Sequence, residues 1–184
     1  MYSDPEGNSI ATIIIGTIIG AAIGFGSSIG KQLIDNGWDF SKLEWGQVVN
    51  RMIVGGALGF SFAMGVGFLG PVLAGTAVAG AMSAGTAYCI SLGVSFAAGS
   101  IGYVLEESMC GRAPDFGKAM LNGALVSFEG TINYVFGGIV GSVGNVGTKG
   151  KPALKSLEWY GKFIFSQEFT FPIKYGIDLI RKKL

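Results

Sequence analysis

Charge is spaced very unevenly along this chain. No charged side chain falls within residues 52–105, a run of 54, and none falls within residues 8–30. An uncharged, mostly apolar run of about 18 residues or more has the length of a membrane-crossing helix. Residues 10–29 therefore predict a first apolar helix. Local propensity alone would permit a strand at the β-branched Ile13-Ile14-Ile15, but the length and the spacing of Gly16, Gly20 and Gly24 favour a helix. Small residues four apart make a flat face on which two helix backbones approach closely in lipid.

Residues 31–51 read as an amphipathic connector holding Trp38, Phe40 and Trp45. Tryptophan at the edge of an apolar span sits at headgroup depth; the competing reading is that these rings fasten the connector onto a soluble core. The run that follows is too long for one crossing. Gly70-Pro71 predicts its division, because proline interrupts the helical hydrogen-bond ladder, leaving segments 48–69 and 72–92 and a shorter piece, 93–105. Gly55 and Gly59 repeat the four-residue spacing in the first of these. Glu106-Glu107 closes the run, and residues 106–118 read as a polar loop. A second apolar block, 119–148, carries Gly137 and Gly141 on the same spacing and one charge, Glu129.

Two similar openings suggest a weak internal repeat. In Glu44-Trp45-Gly46-Gln47 the aromatic stands fourteen residues before Gly59, and in Asp115-Phe116-Gly117-Lys118 fourteen before Gly130. An acid at a helix start is favoured by the helix dipole in any case, so ordinary helix starts account for much of the match.

Composition sharpens this picture. Only 14% of residues are charged against 49% hydrophobic, where soluble domains carry roughly 25% charge. Glycine numbers 32 of 184 residues. Each glycine inside a helix costs about 1 kcal/mol relative to alanine, so this many are tolerable only where close packing offsets the loss. Five prolines and no Gly-X-Y period exclude collagen. Residues 1–148 carry 5 basic against 9 acidic side chains, and residues 149–184 carry 8 against 3. That tail interleaves lysines with Trp159 and other aromatics, and its end predicts an amphipathic helix with Lys174, Arg181 and Lys182 off the apolar face. Such a tail suits an anionic membrane surface, an acidic protein partner, or simply a solvated helix.

Catalytic chemistry has little to stand on. Histidine is absent, which removes the commonest metal ligand and general base. Cys89 and Cys110 fit no zinc or redox spacing, and Cys89 reads as a small hydrophobe. No phosphate-loop spacing occurs among the glycines. Asp35 and Asp39, four apart, would share a helix face, and Glu106-Glu107 would meet Asp115 through a fold, yet each set also reads as boundary charge at a helix end. Glu129 has two readings: an intramembrane ionisable group for ion passage or proton-coupled insertion, or a water-facing bend between two short helices. The expectation is therefore a non-enzyme that needs no metal or cofactor and binds no nucleic acid. The N-terminus lacks the basic start of a cleaved signal peptide.

Tyr2-Ser3-Asp4-Pro5-Glu6-Gly7-Asn8 resembles the Asp-Pro-x-Gly ending of Rhs/YD-repeat polymorphic toxin cores, with Asp4, Pro5 and Gly7 at the matching positions. The likeness covers fewer than ten residues. It implies that residues 1–9 are the remnant of such a core and that Met1 is an added start. It also implies that the chain is the C-terminal toxin region of a larger secreted effector, carried inside the parent shell and neutralised by a cognate immunity protein.

The combined expectation is an all-α protein: Gly-rich hydrophobic helical hairpins over residues 10–148 that insert into a membrane, followed by a basic amphipathic tail, 149–184. It would enter the bilayer of a target cell, pack or homo-oligomerise through its glycine faces, and depolarise the cell as a pore-former. The rival expectations are a non-lethal translocation or spacer module and a carboxylate-based enzymatic toxin.

Overall fold

The computed structural model describes residues 8–75 and 82–145. Among these residues there is no strand, and the architecture is all-α. Four long helices follow one another: α1 (Asn8–Asp35), α2 (Trp45–Leu73), α3 (Ala84–Met109) and α4 (Phe116–Asn145). Gly24 of α1 packs on Arg51 and Gly20 on Gly55 and Gly59, so α1 and α2 are antiparallel. Gly46 faces Glu106 while Ser61 meets Ser95, and Gly99 faces Asn122 while Tyr88 meets Thr131, which sets α3 antiparallel to both α2 and α4. The chain thus runs up and down as a bundle in which α2 is central: α1 lies on one side of it, and α3 and α4 on the other.

Helix α1 does not end near residue 29 as its apolar run suggests. It continues to Asp35 because Gln32 and Leu33 are buried. The Gln32 amide then ties the helix end to the start of α2, accepting from Glu44 N–H at 2.7 Å. Gly37 and Trp38 both take positive φ, closing the helix with N–H bonds back to Ile34 and Leu33. The expected 31–51 connector therefore shrinks to residues 36–44, with a 3₁₀ turn at Phe40–Lys42.

The predicted break at Gly70-Pro71 is also displaced. Helix α2 passes through a π-helical turn, Gly65–Leu69, and continues as Gly70–Leu73. In the π turn Gly70 N–H reaches back to Gly65 O, and Pro71, which lacks an N–H, needs no acceptor at the start of the next turn. The chain leaves the helix after Leu73, where Gly75 has φ +69°. Ser83 then caps α3, its hydroxyl accepting from Thr86 N–H at 3.1 Å. The sequence segments 72–92 and 93–105 consequently belong mainly to one helix, α3, which runs past Glu106-Glu107 to Met109. Both quartets of the internal repeat are helix starts: Asp115 caps α4 by accepting from Lys118 N–H at 2.9 Å, whereas Glu44 makes no side-chain cap.

Which faces are buried is the unusual feature. Helix α3 buries Ala87, Ser91, Ser95, Gly99 and Gly102, a stripe of small and polar residues. Five of its large apolar side chains, Ile90, Val94, Ile101, Val104 and Leu105, face outward, while Leu92 and Phe96 are half-buried. Helix α1 likewise turns Ile10, Ile14, Ile18 and Phe25 outward while Gly16, Gly20 and Gly24 are buried. Water would drive the opposite sorting, because burying large apolar side chains is the main favourable term in folding.

Candidate functional site

Two features stand out: an apolar exterior of even length and a polar interior seam. The exterior follows from where the loops put charge. Lys31, Asp35, Asp39, Lys42, Glu44, Glu106, Glu107, Arg112, Asp115 and Lys118 all gather at the end formed by residues 31–47 and 106–118. Of the other described charges, Arg51 lies about one turn further in and Glu129 lies mid-helix. Beyond that cap the charge-free stretches 8–30, 52–73 and 84–105 are each about 33 Å long at 1.5 Å per residue. A bilayer's hydrocarbon core is about 30 Å thick. Three helices, α1, α2 and α3, are long and apolar enough to cross it. Trp38 and Trp45 project from the charged end, 69% and 53% exposed, beside exposed Phe40 and Phe116. Neither tryptophan packs into the core, which leaves both placed as interfacial residues would be.

The expected packing glycines lie in two helix–helix contacts. A Cβ on Gly20 or Gly24 would overlap the backbone of Gly55 or Arg51, and one on Gly59 would overlap Gly16 O. The second contact joins α2 to α4. A Cβ on Gly137 would run into Phe62 O, one on Gly65 into Tyr134 O, and one on Gly141 would stand 2.8 Å from Val66 O. Gly65 and Gly70 belong to this seam as well, although the four-residue spacing points only to Gly137 and Gly141 in it. The π turn rotates them onto α4, and no local spacing signals that.

Inside α2, α3 and α4 runs a column of polar side chains. At the charged end Asn50 donates through Nδ2 to Glu106 Oε2. Next, Asn122 donates to Gly99 O at 2.7 Å. Further along, Ser61 and Ser95 pair at 3.0 Å, both fully buried. Glu129 and Asn133 follow on α4, 7% and 1% exposed, with the Asn133 amide donating to Glu129 O at 2.9 Å. Glu129 is not at a bend facing water: α4 is continuous around it, and its side chain is turned inward. It stands eleven residues beyond Lys118, about 16 Å along the helix and near the middle of the charge-free slab.

The other carboxylates hold loops and helix ends. Asp35 and Asp39 do not share a helix face, since α1 stops between them. Asp39 caps the 3₁₀ turn, accepting from Ser41 N–H at 3.0 Å and Ser41 Oγ at 2.6 Å, with Lys42 Nζ at 3.3 Å. The Ser41 hydrogen bonds, then Lys42, hold its carboxyl below the ordinary range. Glu107 takes both bonds from Arg112, at 2.7 and 2.9 Å, and Asp115 serves as the cap of α4. Cys89 lies exposed on the outer face of α3. Trp159, Lys174, Arg181 and Lys182, the 149–184 tail and the Asp4-Pro5-x-Gly7 residues lie outside the described residues.

No family model matches the chain, and neither a curated protein nor a solved structure is significantly similar to it.

Proposed function

We propose that this chain is a membrane-inserting toxin domain that depolarises a target cell. The observation that carries the membrane part is the sorting of α3, with Ser91, Ser95, Gly99 and Gly102 inward and Ile90, Val94, Ile101 and Leu105 outward. Lipid tails are as apolar as leucine, so helices in a bilayer gain nothing by hiding large apolar groups. They associate instead through small-residue packing and interhelical hydrogen bonds. Helices α1 and α3 have that distribution, and the described charges other than Arg51 and Glu129 stand at one end with aromatics beside them.

Ionisable and polar side chains inside such a bundle mark routes for ions or protons. The column from Asn50 through Ser61 and Ser95 to Glu129 and Asn133 is our candidate route. The toxin part of the reading rests on the likeness of Asp4-Pro5-x-Gly7 to an Rhs core ending. It brings with it a parent shell, secretion as part of a larger effector, and a cognate immunity protein as partner. Because the glycine faces are taken up by contacts within the bundle, a homo-oligomer in the target bilayer would form through the outward apolar faces.

The test is direct. Purified full-length protein added to protein-free anionic liposomes should insert and collapse an imposed potassium diffusion potential. Liposomes that keep their potential at high protein-to-lipid ratio would end the depolariser reading. Protein that stays monodisperse without detergent and does not float with the vesicles would end the membrane reading as well.

A further inference from the structure

The polar column contains two carboxamide oxygens that nothing in the bundle satisfies. Asn122 is 6% exposed, and its Oδ1 is buried without a hydrogen-bond partner; Asn50 is half-buried, but its Oδ1 is likewise buried and unpaired. Neither amide is free to turn round. The Asn122 Nδ2 is committed to Gly99 O at 2.7 Å, and the Asn50 Nδ2 to Glu106 Oε2. Each commitment leaves the carbonyl oxygen of that amide pointing elsewhere. A buried acceptor left unmade costs about 1–3 kcal/mol, so a group that satisfied both oxygens would stabilise the bundle.

The helices bring them to one level. Val54 of α2 and Val126 of α4 pack in one cluster. Asn50 and Asn122 stand one helical turn before these two residues, on helices that run parallel. Both meet α3 within one turn, Asn50 at Gly102 and Asn122 at Gly99. Gly102 makes the room: a Cβ there would overlap Asn50 Oδ1. The layer lies just inside the charged cap, with the Glu106 carboxylate on the far side of the Asn50 amide.

We propose that this layer binds a monovalent cation, with Asn50 Oδ1 and Asn122 Oδ1 among its ligands. Neutral carbonyl oxygens replace the hydration shell of Na⁺ or K⁺, whereas divalent ions are held chiefly by carboxylates. Among the described residues no group of three or more acidic, cysteine or histidine side chains converges on a metal position. Glu106 supplies one nearby negative charge, which balances a single positive one. The inference rests on the membrane reading, since lipid around the bundle is what keeps bulk water from competing for the site. It names the ion class and the first binding layer of the candidate route.

The experiment is thermal unfolding of the full-length protein in detergent micelles, in NaCl, KCl and choline chloride at equal ionic strength. The expected result is a saturable rise of roughly 5 °C in Na⁺ or K⁺ relative to choline, and the two arms tell which ion is preferred. Asn122→Leu and Asn50→Leu should each abolish the difference. Equal midpoints in all three salts would overturn the proposal, as expected of a site that holds only water. A cation effect that survives both leucine variants would overturn it too. Should the leucine variants fail to fold, Asn122→Asp decides: its added charge should tighten apparent cation affinity, and unchanged affinity sinks the site. Because the readout is stability in micelles, loss of this effect is distinguishable from failure to depolarise liposomes.

Discussion

Gly20 of α1 and Gly55 of α2 each occupy the space that a side chain on the other would need. A Cβ built on Gly20 overlaps Gly55 O, and one built on Gly55 overlaps Gly20 O. The relationship is reciprocal, so neither residue can grow without parting the helices. Backbone cannot swing aside as a flexible side chain can.

Gly20→Leu should therefore detach α1 from the bundle, with a loss of about 3 kcal/mol or more in denaturant unfolding in detergent. The control lies on the same helix. Gly26 has nothing within 4 Å of where its Cβ would be, so Gly26→Ala should be neutral or stabilise by up to about 1 kcal/mol. Equal destabilisation by both would mean that the Gly20–Gly55 contact does not set the cost, since helix propensity favours either substitution.

The π turn predicts a second asymmetry. Gly65 abuts Tyr134 O, whereas Gly67, two residues on, meets nothing. Gly65→Ala should weaken the α2–α4 contact by about 1–3 kcal/mol. Gly67→Ala should not, and melting curves of the pair give the comparison.

Membrane orientation can be read with single charges. Ile14 is 53% exposed on the charge-free part of α1, and Phe40 is 65% exposed at the charged end. Ile14→Lys should hinder insertion by about 2.5–3.5 kcal/mol, seen as loss of vesicle flotation. Phe40→Lys should leave flotation nearly intact. If both behaved alike, the charged end would not be the one that stays in water.

Asp39 gives a pH dependence with a definite sign. Its carboxyl is held below the ordinary value by the Ser41 hydrogen bonds and by Lys42. A lowered folded-state value means the stabilisation is fully present above the unfolded carboxylate value of about 3.9 and is lost as pH falls through the lowered one. Hydrogen exchange at the Ser41 amide should accelerate, relative to its intrinsic rate, over that acid interval. Asp39→Asn should remove this pH dependence of protection.

Glu129→Gln tests the interior route. The substitution keeps the size and inward placement of the side chain while removing its ionisable carboxyl. Insertion should be unchanged and depolarisation slowed, measured as flotation and potential decay on the same liposome batch. Unaltered decay would exclude Glu129 from the route.

Much of this protein is legible before any coordinates. Charge-free runs of membrane length, and glycines four apart at 16, 20, 24, 55, 59, 137 and 141, are local properties, and they place long helices with close-packing faces. Helix ends were less legible. The run 10–29 gave no hint that burial of Gln32 and Leu33 extends α1, and Pro71 looked like a break because the π turn that accommodates it is packed against α4. The inward face of α3 was not legible at all. A helix apolar all round carries no periodic contrast to separate inside from outside, so only contact with α2 and α4 could turn Ser91, Ser95 and Gly99 inward. The same holds for the gathering of charges at one end, and for Asn50 meeting Asn122 at one level. Those groups are far apart along the chain, and antiparallel packing alone brings them together.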